Sequence, residues 1–169
     1  MTVPIWREEA IAKSHDRKSF DCGDSDLNDF LRLYARQGHE SGSAKTFVAI
    51  DNTAPERILG FYSIAPAELD FARVPQELRR GLARHGVGGF RLARLAIDKG
   101  GQGQGLGGQL LIAAARRCIR VADQVGGVIL IIDAKNERAA AWYEIYGGVR
   151  LSDAPHTLVM ALKTFMTPR

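Results

Sequence analysis

The spacing of apolar positions changes period several times along this chain, and each change marks an element. Leu27, Phe30, Leu31, Tyr34 and Ala35 recur at helical spacing, and Asp24-Ser-Asp ahead of them supplies an N-cap, so an amphipathic helix is predicted there. Arg32 and Arg36 fall four apart on its polar side. Thr46–Ile50 and Ile58–Ala65 read as paired strands, separated by the turn-rich stretch from Asp51 to Glu56. Pro75 is predicted to open a short helix, Pro75–Arg84, with Leu78 and Leu82 inward and its arginines outward. Gly86 and the pair Gly88-Gly89 are expected to end it.

The second half of the chain carries the stronger pattern. Phe90–Asp98 reads as a buried strand, and a glycine-rich stretch follows it. A long helix is predicted from Leu106 through Leu110, Leu111, Ala114, Cys118, Val121 and Val125, stopped by Gly126-Gly127. Val128–Asp133 is almost wholly aliphatic, as expected of a strand covered on both faces. A further helix, Glu137–Tyr146, ends at Gly147-Gly148, and Leu158–Leu162 supplies a last strand. The reading is an α/β fold built on strand, glycine loop, helix, strand, helix. No repeat, low-complexity tract or linker divides the chain, and 169 residues fit one domain spanning 1–169.

Five glycines, Gly100, Gly101, Gly103, Gly105 and Gly107, fall at that strand-to-helix junction. Glycine permits positive φ and lets main-chain N–H groups approach a ligand with no Cβ in the way. The helix start adds unpaired donors and the positive end of a dipole, which together make a seat for a pyrophosphate. Gly103, Gly105 and Gly108 also satisfy the dinucleotide pattern G-x-G-x-x-G, with Asp133 ending the following strand as a ribose-binding acid would. Against that rival, the predicted strand stops at Asp98, several residues before the first glycine of the pattern. No Lys-Ser/Thr follows, which removes a Walker loop.

Charge and composition narrow the classes further. The net charge of +4 is local: Arg73, Arg79, Arg80, Arg84, Arg91 and Arg94 lie between Phe71 and Ala96 against the single acid Glu77. A basic segment of this kind attracts phosphate-bearing partners. Cys22 and Cys118 are far apart and read as reduced thiols of a cytoplasmic protein. His15, His39, His85 and His156 are scattered, so no metal site is expected. No apolar run approaches the roughly 20 residues that span a bilayer, and the N-terminal stretch from Met1 lacks a signal-peptide pattern.

At the glycine loop the sequence resembles the GNAT superfamily of N-acetyltransferases, whose signature Gln/Arg-x-x-Gly-x-Gly/Ala is matched by Gln102, Gly105 and Gly107. The resemblance implies a mixed, mostly antiparallel sheet whose splayed parallel strand pair holds acetyl-CoA, flanked by helices. It implies that Gln102, Gly103, Gln104, Gly105, Leu106, Gly107 and Gly108 form the cofactor loop, with amides from Gln104 onward on the pyrophosphate. Leu95, Ala96 and Ile97 would run beside the pantetheine arm, and Asn136 would contact the cofactor. Trp142, Tyr143 and Gly147 match a family motif that often reads Phe-Tyr-x-x-x-Gly-Phe, with Trp142 and Gly148 in place of its two phenylalanines.

By the same resemblance Tyr143 is the general acid that protonates the leaving thiolate. A phenol suits that task because its ordinary pKa of about 10 keeps it protonated at neutral pH. The oxyanion donor is expected from a main-chain N–H of Leu95–Ile97. No side chain stands out as general base among Glu68, Asp70, Glu144 and His156. An α-amine, with a pKa of about 7.7–8.0, is partly neutral already, so the absence favours an α-amino acceptor over lysine.

Within the superfamily the chain looks most like the acetyltransferase toxins of toxin–antitoxin pairs. The likeness covers Phe20 to Leu31, Ile58 to Ser63, and Leu92 to Lys99 before the loop. It implies acetylation of the α-amino group of aminoacyl-tRNA, a ribbon-helix-helix antitoxin as partner, and a homodimer. Arg79, Arg80, Arg84 and Arg91 are the expected RNA contacts, giving affinity and salt sensitivity rather than sequence readout. Acetylation of a small amine or protein N-terminus, and a module that holds CoA without turnover, stand as alternatives.

Overall fold

The computed structural model describes residues 5–166; the first four residues of the N-terminal stretch read above lie outside it. The strands are β1 (Trp6–Ala10), β2 (Lys45–Asp51), β3 (Ala54–Asp70), β4 (Gly86–Ile97), β5 (Ile129–Asp133), β6 (Val149–Arg150) and β7 (Thr157–Ala161). The helices are α1 (Ser25–Asp29), α2 (Ala35–Ser41), α3 (Leu106–Val125) and α4 (Glu137–Ile145). Hydrogen bonding orders the strands β1-β2-β3-β4-β5-β7-β6. β4 and β5 are parallel, whereas β1–β2, β2–β3, β5–β7 and β6–β7 are antiparallel, so the sheet is mixed. The described residues divide into two compact units, 5–64 with 94–113 and 65–93 with 114–166.

In the first unit, β1 pairs with β2 in the register Trp6↔Asp51 to Ala10↔Phe47. Its Arg7, Glu8 and Glu9 suit the edge position it holds, and charge there discourages further pairing. The same charges leave β1 without the apolar alternation that marks a strand in sequence. Asp24 caps α1 as predicted, its Oδ1 accepting the Leu27 N–H at 3.0 Å. A π-helical turn, Phe30–Tyr34, then separates α1 from α2. Leu31 and Ala35 are buried, but Tyr34, predicted inward, is 60% exposed, because the wider turn rotates it off the inner face. Phe20, Leu31, Val48, Ile50, Ile58 and Phe61 form this unit's core, with Phe20 edge-on to Phe61 at 5.5 Å.

The core of the second unit is built on Leu69, Val74, Val87, Ile129, Ile131 and Val159. The helix predicted over Pro75–Arg84 does not form: a single 3-10 turn, Gln76–Leu78, stands in its place. Gly81 at φ +82° lies in the left-handed region, which ends helical continuation. Leu78 and Leu82 nevertheless pack on the core as the pattern required. Gly88 and Gly89, read as a helix stop, belong instead to β4. A Cβ at Gly89 would sit 2.1 Å from the Ile129 carbonyl oxygen, so the close passage of β5 demands glycine there. Among the described residues, no helix is long and apolar enough to cross a membrane.

Candidate active site

The glycine loop lies in the first unit and is held from within. Asp98 caps the turn that follows β4, its Oδ2 accepting the Gly100 N–H at 3.1 Å and its Oδ1 the Asp21 N–H at 3.0 Å. Gln102 donates its side-chain amide to the Ile97 carbonyl at 2.8 Å and to the Cys22 carbonyl at 2.9 Å. The signature glutamine therefore fastens the loop to protein rather than offering that amide to a ligand. Asp21 Oδ1 accepts from Gly23 N–H at 2.9 Å and from Asn28 Nδ2 at 3.0 Å, and Asn28 Oδ1 accepts the Cys22 N–H at 3.0 Å. The Gly23 N–H and then the Asn28 amide hold the Asp21 carboxyl below its ordinary range. Asp21, Cys22 and Asn28 thus brace the loop, a role that their likeness to the family alone did not reveal.

Gly103 and Gly105 adopt φ +78° and +86°, the left-handed conformation that turns the chain into α3. The first helical bond runs from the Gln109 N–H to the Gly105 carbonyl at 3.2 Å. The amides of Leu106, Gly107 and Gly108 precede it and have no intrahelical acceptor. Leu106 and Gly108 are buried at the backbone's turn, while Gly103 and Gly105 are exposed. Gln104 closes the loop by donating to the Gly100 carbonyl at 3.3 Å. A run of free amides at a helix start fits a pyrophosphate. Ala96 is buried with the Phe20 cluster, and Leu95 and Ile97 are half-buried.

In the second unit, the parallel register of β4 with β5 runs from Gly89↔Ile129 to Leu92↔Ile132 and stops, although β4 itself continues to Ile97. Asn136 caps α4, its Oδ1 accepting the Ala139 N–H at 2.9 Å. That bond occupies the oxygen and leaves the amide nitrogen for other partners. Tyr143 is 6% exposed, and its hydroxyl bonds to no described residue. Burial, and then the charge of Asp133, push its phenol above the ordinary value of 10.0, so the proton is retained at any physiological pH. Trp142 packs against Tyr146 at 4.7 Å and Tyr143 at 5.0 Å. Gly148 donates to the Tyr143 carbonyl at 3.0 Å, closing α4.

The arginines predicted to share one helix face are arranged differently. Arg79 donates to the Val74 and Ala72 carbonyls, each at 2.8 Å, and lies 5.2 Å from the centre of the Phe71 ring. Arg84 lies over the same ring at 5.9 Å. Arg80 is exposed and engages none of the described residues. Arg91 is paired with Asp133, Nη1 to Oδ1 at 2.7 Å. Arg94, in the first unit, covers the Phe30 ring at 3.8 Å. Of the side chains weighed as general base, Glu144 is held by Arg150 at 3.1 Å, and His156 lies 3.5 Å from Glu137. Among the described residues, no cluster of three or more His, Cys, Asp or Glu side chains is placed to hold a metal.

The run of free amides in the first unit suits a pyrophosphate, and the buried phenol in the second unit, taken by itself, suits a proton donor. Residues 42–147 match the acetyltransferase (GNAT) domain, and the chain belongs to that family. It is 35% identical over 133 residues to a tRNA-acetylating toxin of Mycobacterium tuberculosis (strain ATCC 25618 / H37Rv), covering 79% of this chain and 78% of that one. Among solved structures it resembles AtaT complexed with acetyl-methionyl-tRNAfMet, with a TM-score of 0.88 and 25% identity over 96% of this chain and 98% of the other. It also resembles a tyrosine-to-phenylalanine mutant of the AtaT toxin bound to the C-terminus of the antitoxin AtaR and acetyl-CoA. That match has a TM-score of 0.80 and 25% identity, over 95% of each chain.

Proposed function

We propose that this chain is an acetyl-CoA-dependent N-acetyltransferase toxin that acetylates the α-amino group of aminoacyl-tRNA and so blocks translation. The observation that carries the reading is its 35% identity to a tRNA-acetylating toxin over 79% of its length. The bound acetyl-methionyl-tRNA and acetyl-CoA of the two AtaT structures support the acceptor and the donor in turn.

Acetyl-CoA supplies the activated acyl group and a thiolate leaving group. Free amides from Gln104 to Gly108 receive its pyrophosphate, with Gly103 and Gly105 giving the turn that exposes them. Leu95–Ile97 offers main-chain donors for the oxygen on which negative charge develops, and Asn136 keeps an amide nitrogen for the cofactor. Tyr143 holds a proton at Oη and delivers it to the departing sulfur. Its raised pKa keeps the donor charged with its proton, at the expense of some driving force for release. The acceptor α-ammonium loses its own proton to water, which its ordinary pKa of about 7.7–8.0 permits without a dedicated base.

Exposed Arg80 contacts RNA phosphate, and Arg84, which lies over Phe71, supplies a second contact. The protein works in the cytoplasm as a homodimer and is neutralised by a ribbon-helix-helix antitoxin; the antitoxin C-terminus bound to AtaT supports an antitoxin as partner. Labelled acetyl transfer to charged tRNA, with the uncharged RNA as control, tests the reading. Label on charged RNA alone supports it, and label on neither sinks it.

A further inference from the structure

Asp133 is the one acid in β5, and it stands at the strand's last position. Side chains alternate across a strand, so Asp133 shares its face with Ile129 and Ile131, while Leu130 and Ile132 occupy the other. The end of α4 lies over that other face. A Cβ at Gly148 would sit 3.1 Å from the Leu158 side chain and 3.1 Å from the Tyr143 carbonyl, and Leu158 is the antiparallel partner of Ile132. The helix carrying Tyr143 therefore packs on one side of the β5–β7 pair, and Asp133 opens onto the opposite side at the strand's end.

Arg91 shares the face of Asp133, because its register partner in β5 is Ile131. Its Nη1 holds Oδ1 of Asp133 at 2.7 Å, and the two side chains are 38% and 40% exposed. The second carboxylate oxygen accepts a hydrogen bond from no described residue. One oxygen is thus pinned, and the other, on a side chain 40% exposed, has no hydrogen-bond partner among the described residues. A carboxylate bridging two cations makes strong charge-assisted bonds, and an ammonium has three donors to offer. The charge of Asp133 also reaches the Tyr143 phenol, which places the two groups within one electrostatic neighbourhood.

We propose that Asp133 recognises the arriving acceptor amine, its free oxygen accepting from the α-ammonium of the aminoacyl group before that group moves on and loses its proton to water, while Arg91 positions the carboxylate. The proposal rests on the aminoacyl-tRNA reading above and names the residue that distinguishes a charged from an uncharged acceptor. It also gives Arg91 a different task from the phosphate contact expected of it, since gripping a phosphate would strip Asp133 of its partner.

The test compares binding of the full chain, loaded with CoA, to three forms of one tRNA: aminoacylated, uncharged, and carrying the corresponding α-hydroxy acid. The wild type should prefer the amine over the hydroxyl by about tenfold, the scale of one charge-assisted hydrogen bond. Asp133→Asn should abolish that preference, with uncharged tRNA and acetyl-CoA bound as before. Arg91→Gln should reduce the preference without weakening uncharged tRNA, and Asp133→Glu should restore part of it. A preference that survives Asp133→Asn overturns the proposal. So does equal loss of charged and uncharged tRNA in either variant, with acetyl-CoA binding intact, since that marks a role toward the RNA backbone. If the wild type acetylates no aminoacyl-tRNA, the acceptor reading itself fails and this inference falls with it.

Discussion

Gln102 donates its side-chain amide to the carbonyl of Cys22 at 2.9 Å, joining positions 80 apart in sequence. The same nitrogen reaches the Ile97 carbonyl, so one side chain ties the end of β4 and the Phe20–Asn28 segment to the glycine loop. The loop is braced by its own chain, and bracing of this kind lowers the cost of ordering it around a ligand.

Gln102→Ala should therefore weaken acetyl-CoA binding by about tenfold, the equivalent of roughly one to two net hydrogen bonds. Calorimetric titration of acetyl-CoA measures it directly. Turnover at saturating acetyl-CoA should change far less, because Gln102 shapes the seat and does not touch the reacting atoms. A fall in turnover with unchanged affinity would contradict the bracing role.

Tyr143→Phe should bind acetyl-CoA like the wild type and lose turnover by about 10²–10⁴-fold, the range for a positioned general acid. The phenol is raised above 10.0 by burial and by Asp133, so the wild-type rate should show no alkaline fall from this group below about pH 10. Single-turnover rates across that range check both statements. Unchanged turnover in the variant would remove Tyr143 from catalysis.

Arg79 and Arg80 are neighbours with opposite expectations. Arg79 satisfies the Val74 and Ala72 carbonyls, so Arg79→Ala should destabilise the fold by about 1–2 kcal/mol in urea denaturation. Arg80 engages no described residue, so Arg80→Ala should leave stability within about 0.5 kcal/mol. It should weaken tRNA binding and make the salt slope shallower by about one. If Arg80→Ala leaves both affinity and slope untouched, Arg80 does not face RNA.

The chain should lose stability in alkali. Burial raises the Cys118 thiol from 9.0 to about 12, and Tyr143 is raised above 10.0. Above pH 9 the unfolded chain releases these protons while the fold retains them, so the unfolded state binds fewer. The stabilisation is complete below about pH 9 and is lost as pH climbs toward the folded values, at up to about 1.4 kcal/mol per pH unit from the thiol. Urea melts at a series of pH values measure the slope, and Cys118→Ala should flatten it between about pH 9 and 10. The same slope in the variant would assign the loss to other groups.

The parts of this molecule readable from sequence are those where one physical demand dominates. An aliphatic run gave β5, a sustained helical period gave α3, and glycines at a strand-to-helix junction gave the loop. Elsewhere two demands competed. Pro75, Leu78 and Leu82 wrote a helical pattern that Gly81 at φ +82° interrupts, and the Arg79 guanidinium takes main-chain carbonyls of the preceding segment. β1 was hidden by the charges that protect its edge, and β3 runs on through Pro66 to Asp70, past the residue that reads as its end. The braces from Asp21, Asn28 and Asp98 to the loop, and the pairing of Arg91 with Asp133, depend on tertiary proximity that no local pattern encodes.

Acetylation of the acceptor is read most directly on the amino acid itself. Charged tRNA is incubated with enzyme and acetyl-CoA, the ester is cleaved with mild base, and the released amino acid is weighed by mass spectrometry. A gain of one acetyl group on the α-nitrogen is expected, abolished by Tyr143→Phe. Recovery of the unmodified amino acid, from enzyme shown to bind acetyl-CoA, would contradict it and assign the transferase to a different amine.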